Sequence, residues 1–242
     1  MKILIIPDVH GREFWKEPIK GEYDHIIFLG DYLDPYPGEA TPEEALERFK
    51  EILKFKNEHS ELVTLLLGNH DLPYFSVTYG KALSYWCRHD YKHHEEIVNL
   101  FKANEDKFQI AWECENEKLG KVLFTHAGVT NKFKHICGLD AEGINRFFLK
   151  ESSTGSGEEI PNIVGLATVS FYRGGFGNTG SPVWADVREH IKSQVPQIFQ
   201  IFGHTYSKEA IIMENFAMLD KGNSCYILDE NGIHKYEVSD EN

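Results

Sequence analysis

Five short polar clusters stand where apolar runs end: Asp8-Val9-His10-Gly11, Gly30-Asp31-Tyr32-Leu33-Asp34, Gly68-Asn69-His70-Asp71, His126-Ala127-Gly128 and Gly203-His204-Thr205. Carboxylate and imidazole are both good ligands for borderline divalent metals, so Asp8 and His10 can approach one cation from a single turn. Alone that triplet is weak, because roughly one arises by chance in a chain this rich in Asp and His. Asp31 follows a glycine that lets backbone and metal come close, and Asp34 can face the same cavity, although two solvated turn acids would read the same way. Asn69 offers a neutral carbonyl oxygen to a metal while His70 points elsewhere, so one turn can supply a ligand and an acid. His126 or His204, met singly, reads as a satisfied histidine of core or surface. All five clusters directly follow a predicted strand, and five independent coincidences do not explain that placement.

The elements that must position these residues follow from the apolar pattern. Lys2–Ile6, His25–Leu29, Leu62–Leu67, Lys121–Thr125 and Ile198–Phe202 lack polar alternation, as strands buried on both faces do. Thr41-Pro42-Glu43-Glu44 opens a helix with an N-cap, a proline in the first turn and acids at the positive end of the dipole. Leu46, Phe49, Ile52, Leu53 and Phe55 continue it at helical spacing. Strand, helix, strand predicts crossover units on a parallel or mixed sheet, and in such sheets ligands sit at strand ends. The stretch 72–117 is polar and aromatic and reads as a mostly helical insertion beside the site; 151–161, rich in Ser and Gly, reads as a mobile loop. Ala217–Asp220, Ser224–Asp229 and Ile233–Val238 read as closing strands, the last two joined by a hairpin turn.

Length and composition bound the rest. With 242 residues, 41% hydrophobic and 26% charged, the chain reads as one soluble globular domain, 1–242, able to bury a full-sized core. A formal charge of −13 repels phosphate backbones and anionic lipid, which excludes nucleic acid and membrane as expected partners. Cys87, Cys114, Cys137 and Cys225 are scattered, without a C-x-x-C pair, and read as reduced thiols. The apolar run after Met1 is too short for a signal peptide, and no segment reaches the ~18 apolar residues of a membrane span. A cytoplasmic location is the expectation.

The five clusters, in this order over about residues 2–206, resemble the calcineurin-like metallophosphoesterases. Within them they resemble the branch of serine/threonine protein phosphatases and bacterial diadenosine tetraphosphatases, whose pattern is D-x-H, G-D-x-x-D, G-N-H-D/E, H-A-G or H-G-G, and G-H. Val183-Trp184-Ala185-Asp186 is similar to that branch's L-W-x-D segment, and Leu219-Asp220-Lys221-Gly222 to its L-D-T-G. The resemblance implies an α/β fold, a central mixed β-sheet sandwich flanked by helices, with two divalent metal ions. Asp8 and His10 would bind the first, Asp31 would bridge both, and Asn69, His126 and His204 would bind the second. His70 would stay free of metal, oriented by Asp34.

Such a centre makes physical sense. Two divalent ions roughly 3.5–4 Å apart repel and need bridging anions, here a carboxylate and a water-derived hydroxide that attacks phosphorus in line. Against Asp8, Asp31 and hydroxide the ions leave about one net positive charge facing the phosphate, so an acidic chain still binds it. Protonated His70 would donate to the leaving alkoxide, with Asp34 fixing its ring and keeping it protonated near neutral pH. A mixed oxygen and imidazole shell suits manganese, iron or zinc.

The chain departs from the branch at Pro35-Tyr36, where the protein phosphatases carry an Arg-Gly whose arginine holds the substrate phosphate. Proline does not replace a planar five-donor fork, so that role must move or weaken. Among six arginines Arg173, in Tyr172-Arg173-Gly174-Gly175, is the first candidate and Arg12 the second, although either also reads as a solvated surface arginine. Tyr206 stands where nuclease-like members place a second metal-binding histidine, which argues against a DNA nuclease. His93 and His94 are adjacent, cannot share a helix face, and read as exposed on the insertion. The leading expectation is a binuclear phosphoesterase acting on phosphomonoesters, small-molecule or phosphopeptide, including phosphoserine and phosphothreonine of proteins. The alternatives are a dinucleoside polyphosphate hydrolase and, from another class, a metal-stabilised binding module without turnover.

Overall fold

Ile3–Ile6 (β1) is fully buried at every position, because each face of its sheet is covered by something different. The computed structural model describes residues 1–75, 84–150 and 163–237. In it β1 runs parallel to His25–Phe28 (β2), which pairs in parallel with Val63–Leu66 (β3), and β3 with Phe108–Gln109 (β4). Ile3 and Ile5 point, with Ile27, Leu29 and Leu66, into a core shared with a second sheet; Leu4 and Ile6 point the other way, onto helix residues such as Phe49 and Ile52. Two covered faces remove any reason for polar alternation.

The second sheet is built from Ala111–Asn116 (β5), Gly120–Thr125 (β6), Phe199–Phe202 (β7), Ile211–Ile212 (β8) and Phe216–Met218 (β9), in the order β5-β6-β7-β9-β8. Its Val122, Phe124, Phe199, Ile201 and Ala217 meet the first sheet face to face. Tyr226–Asp229 (β10) and Gly232–Lys235 (β11) close the first sheet as an antiparallel hairpin, giving the order β11-β10-β1-β2-β3-β4. Both sheets are mixed and helices flank them, as expected for an α/β sandwich.

The helix Pro42–Glu58 starts where Thr41 predicts. Thr41 Oγ1 accepts from the Glu44 N–H at 3.2 Å and Glu44 accepts from the Thr41 N–H at 2.7 Å, a reciprocal cap. Its Phe49 ring packs on Tyr32, Phe101 and Phe108, with centroids 4.8–6.3 Å apart. Rings of this size each contribute on the order of 1.5–3 kcal/mol on burial. The cluster ties the Asp31 turn to the helices outside it.

The stretch 72–117 differs from its expectation. Leu72–Phe75, Ser84–Trp86, His94–Ala103 and Glu105–Lys107 are helical, but β4 and β5 occupy its last part. In β5, Trp112 and Cys114 pack against the inter-sheet core while Glu113 pairs with Lys121 across the strands at 2.9 Å. That is a period of two, hidden by two glutamates in an acidic neighbourhood. The loop expected over 151–161 lies outside the described residues. Among the described residues no helix is long and apolar enough to cross a membrane, and Cys87, Cys114, Cys137 and Cys225 are free.

Helix Val187–Lys192 covers the outer face of the second sheet, placing His190 against Phe202 with ring centroids 4.6 Å apart. His190 Nε2 bonds the Ala127 carbonyl at 3.0 Å, and burial pushes its pKa down to about 4. The unfolded chain then takes up a proton near pH 6.5 that the folded one refuses. Stability should therefore fall as pH drops from about 6.5 to about 4, by about 3 kcal/mol, and level below that. Urea melts across this range should show His190→Gln with a shallower decline; the same slope in wild type and variant would assign the decline to other groups.

Candidate metal centre

Parallel strands β1, β2 and β3 end side by side at Asp8, Asp31 and Asn69, and β6 and β7 of the facing sheet end at His126 and His204. The five clusters therefore converge across the tops of both sheets. Four of their non-glycine residues have positive φ: His10 (46°), Asp31 (55°), Asp34 (58°) and His204 (67°). Each costs on the order of 1–2 kcal/mol, and such strain gathers at functional sites. The neighbouring glycines Gly68 and Gly203 have a steric reason. A Cβ on Gly68 would lie 2.2 Å from Asp31 Oδ1, and one on Gly203 would lie 2.1 Å from Asp8 Oδ1. Both make room for carboxylates, whereas Gly30 (φ 105°) makes room for the backbone of Gly68, whose N would lie 2.4 Å from a Cβ on Gly30.

Asp71, given no role by the sequence, holds the turns together. Its carboxylate accepts from the backbone N–H groups of Gly68 (2.7 Å), Asp31 (2.8 Å) and Tyr32 (3.0 Å), joining the ends of β2 and β3.

The side chains present lone pairs to one another. The Nδ1 of His126 is bonded to the Leu29 carbonyl at 2.8 Å, so this nitrogen carries the proton and Nε2 is bare in the neutral ring. That bare nitrogen lies 3.0 Å from Asn69 Oδ1, 3.1 Å from His204 Nδ1 and 3.5 Å from Asp31 Oδ2. In the same way His10 Nδ1 is spent on the Leu33 carbonyl at 3.0 Å, leaving Nε2 3.4 Å from Asp31 Oδ2. One carboxylate oxygen thus lies between His10 on one side and His126 on the other. Asp31 Oδ1 accepts from the His70 N–H at 2.8 Å, which fixes the rotamer. His204 Nε2 is buried without a hydrogen-bond partner among the described residues.

Burial lowers the pKa values of His10 and His204 well below the ordinary range, so both rings are neutral and ready to ligate. Burial and the nearby Asp8 raise that of Asp31. Acceptors facing acceptors repel, which the raised Asp31 value records; uptake of a proton or binding of a cation removes the conflict. The donor set therefore fits divalent metal. Asp8 is held by the His204 N–H at 2.9 and 3.1 Å to its two oxygens. Among the described residues the buried donor groups lying within 4.8 Å of one another are His10-Asp31-His70 and Asp31-His126-His204; Asp8 lies outside both, and its charge raises the Asp31 pKa.

His70 bonds Asp34 through Nδ1 at 2.8 Å, and Asp34 Oδ1 accepts from Tyr74 Oη at 2.6 Å. The expected orientation is present; the expected protonation is not. Burial and Arg88 lower the His70 pKa to about 3, while burial raises Asp34 to about 7. Without an anion in the site His70 is neutral near pH 7.

The arginines divide. Arg173 donates Nη2 to Thr205 Oγ1 at 2.6 Å and the His204 carbonyl at 3.1 Å, and its Nε lies 3.0 Å from Asp186 Oδ2. Its charge reaches His204 and His70. Arg12 spends Nε on the Val9 carbonyl (3.0 Å) and Nη2 on the Asp8 carbonyl (2.8 Å) and pairs with Glu39. These bonds make it a brace behind Asp8. Arg88, which no spacing related to the clusters, lies over Tyr36 at 3.7 Å and donates to the Asp34 carbonyl. His93 bonds Asp90 at 2.6 Å and is partly buried rather than exposed, while Tyr206 is exposed. Asp220 is buried, and desolvation with Asp8 raises its pKa to about 8.

Asp71→Asn would set amide hydrogens against backbone N–H donors. It should weaken metal binding by about 10- to 100-fold, as loss of a supporting hydrogen-bond partner does. Manganese titration followed by the rise in Tm reads this directly; wild-type affinity in a folded variant would show that the two turns hold without the carboxylate.

The calcineurin-like phosphoesterase family profile matches residues 1–207. A cold-active protein-tyrosine phosphatase of a psychrophilic Shewanella superposes with TM-score 0.53 at 14% identity, covering 98% of this chain and 80% of that one. A candidate diadenosine tetraphosphatase superposes with TM-score 0.51 at 12% identity, covering 97% and 92%. At such identities these likenesses show the fold. A search of curated proteins finds no match. Ordered clusters, sandwich and profile agree: the chain belongs to the calcineurin-like phosphoesterase family and is a metal-dependent phosphoester hydrolase.

Proposed function

We propose that the protein is a two-metal phosphatase acting on phosphomonoesters, small-molecule or phosphopeptide, including protein phosphoserine and phosphothreonine. The observation that carries the reading is Asp31 Oδ2, placed 3.4 Å from His10 Nε2 and 3.5 Å from His126 Nε2, where one oxygen can serve two ions. Asp8, His10 and Asp31 would hold one ion, and Asp31, Asn69, His126 and His204 the other. Manganese, iron or zinc suits these donors. When bound, the ions supply an activated water and positive charge for the phosphoryl oxygens.

The chain's own residues do the rest. Arg173, anchored by Thr205 and Asp186, turns its charge toward His70 and would bind a phosphoryl oxygen. An arriving phosphate dianion favours a proton on His70, and ionised Asp34 stabilises the imidazolium formed. His70 Nε2–H then protonates the leaving alkoxide, while Tyr74 holds Asp34 in place.

With manganese loaded, His70→Asn should lower kcat on an alkyl phosphate by about 10²- to 10⁴-fold at unchanged metal content. The loss on para-nitrophenyl phosphate should be much smaller, since nitrophenolate leaves without a proton. Full alkyl phosphate turnover by the variant would remove His70 as the acid. A panel of phosphopeptide, alkyl phosphate and dinucleoside polyphosphate tests the substrate class: preference for the last would reassign the enzyme to nucleotide hydrolysis, and no turnover of any would leave a binding module.

A further inference from the structure

Pro35-Tyr36 and Arg88 are far apart in sequence and form one unit in space. The Tyr36 ring stacks under the Arg88 guanidinium at 3.7 Å and stands edge-on to the His10 ring, centroids 5.0 Å apart. The guanidinium is pinned by backbone: Nε lies 3.1 Å from the Asp34 carbonyl and 3.3 Å from that of Pro35, and Nη2 donates to the Asp34 carbonyl at 2.8 Å. Nη2 also comes within 3.3 Å of His10 Nδ1. Nη1 makes no hydrogen bond among the described residues. The residue before Arg88 is tied to the same site, Cys87 Sγ lying 3.5 Å from the Asn69 carbonyl.

We propose that Arg88 binds a phosphoryl oxygen of the substrate across the site from Arg173, with Pro35 and Tyr36 as its seat. The proposal rests on the phosphoesterase reading and deepens it. A guanidinium fixed by two carbonyls and a stacked ring keeps a planar donor fork at one place, so little freedom is lost when an anion arrives. Arg173 is fixed independently, by Thr205 and Asp186. Arg88 stands at His10, whose ring centroid is 4.9 Å from that of His70, whereas Arg173 is bonded to the His204 carbonyl at 3.1 Å. An oxyanion held at Arg88 would lie on the His10 side of the site, near the proposed acid His70. The pair Pro35-Tyr36, which removes an arginine from this stretch of sequence, supplies the carbonyl and the ring that receive one from elsewhere.

The alternative is that Arg88 only braces the Asp34 turn. Binding of inorganic phosphate to the manganese-loaded protein, measured by calorimetry alongside Tm and metal content, separates the two. Arg88→Ala and Arg88→Gln, the second keeping an N–H for the Asp34 carbonyl without the charge, should each weaken phosphate binding roughly tenfold or more, as loss of a charge-assisted bond does. Arg88→Lys should recover part of the loss, and KM for para-nitrophenyl phosphate should rise in the same order. A bracing role would instead lower Tm and metal content and leave the phosphate affinity of the loaded fraction at the wild-type value. If Arg88→Ala does not fold, the same reading is taken from Arg88→Gln. Wild-type affinity in a folded, loaded variant overturns the role of Arg88 and leaves the phosphoesterase reading standing; a loaded wild type that neither binds phosphate nor turns over any phosphoester overturns both.

Discussion

Around Asp31 Oδ2 the protein gathers imidazole nitrogens, an amide oxygen and a second carboxylate nearby, and burial with that carboxylate raises the Asp31 pKa. In water such groups would turn apart or take up protons. Here the other nitrogens of His10 and His126 are bonded to the Leu33 and Leu29 carbonyls, and the rings cannot turn away. Burial then suppresses protonation of His10 and His204. The folded chain thus holds a repulsion that divalent cations convert into attraction, and binding free energy becomes folding free energy.

Holding that arrangement needs a rigid frame. Four non-glycine site residues with positive φ together cost several kcal/mol, a debt that only extensive burial offsets. Strands covered on both faces, the Phe49 ring cluster and the Asp71 staple supply the restraint at the turns. The net charge of −13 finds its place in this picture. Several acids, among them Asp8, Asp31, Asp34, Asp71 and Asp220, are buried at or near a centre whose ions reverse the local sign. In the proposed arrangement Arg88 and Arg173 would add positive charge where a phosphoryl group binds.

The sequence made the candidate ligands legible because each follows an apolar run that forms a buried strand, so residue type and position coincide at a sheet end. The sandwich itself was legible only through resemblance to a family, since nothing local says that β6 and β7 face β1 and β2. Asp71 was missed because a carboxylate bonded to three backbone N–H groups is indistinguishable in sequence from a helix-start acid. Arg88 reaches Asp34 across 54 positions, and no spacing rule spans that distance. The protonation of His70 was misjudged for the same reason: a neighbouring Asp34 argues for a charged ring, whereas burial and Arg88 argue more strongly against it.

Anomalous diffraction from manganese-soaked crystals addresses the central claim without reference to any substrate. Two peaks per chain are predicted, both in contact with Asp31, one beside His10 and Asp8 and the other beside Asn69, His126 and His204. A single peak, or peaks that leave Asp31 Oδ2 without metal, would contradict a centre built on that shared oxygen.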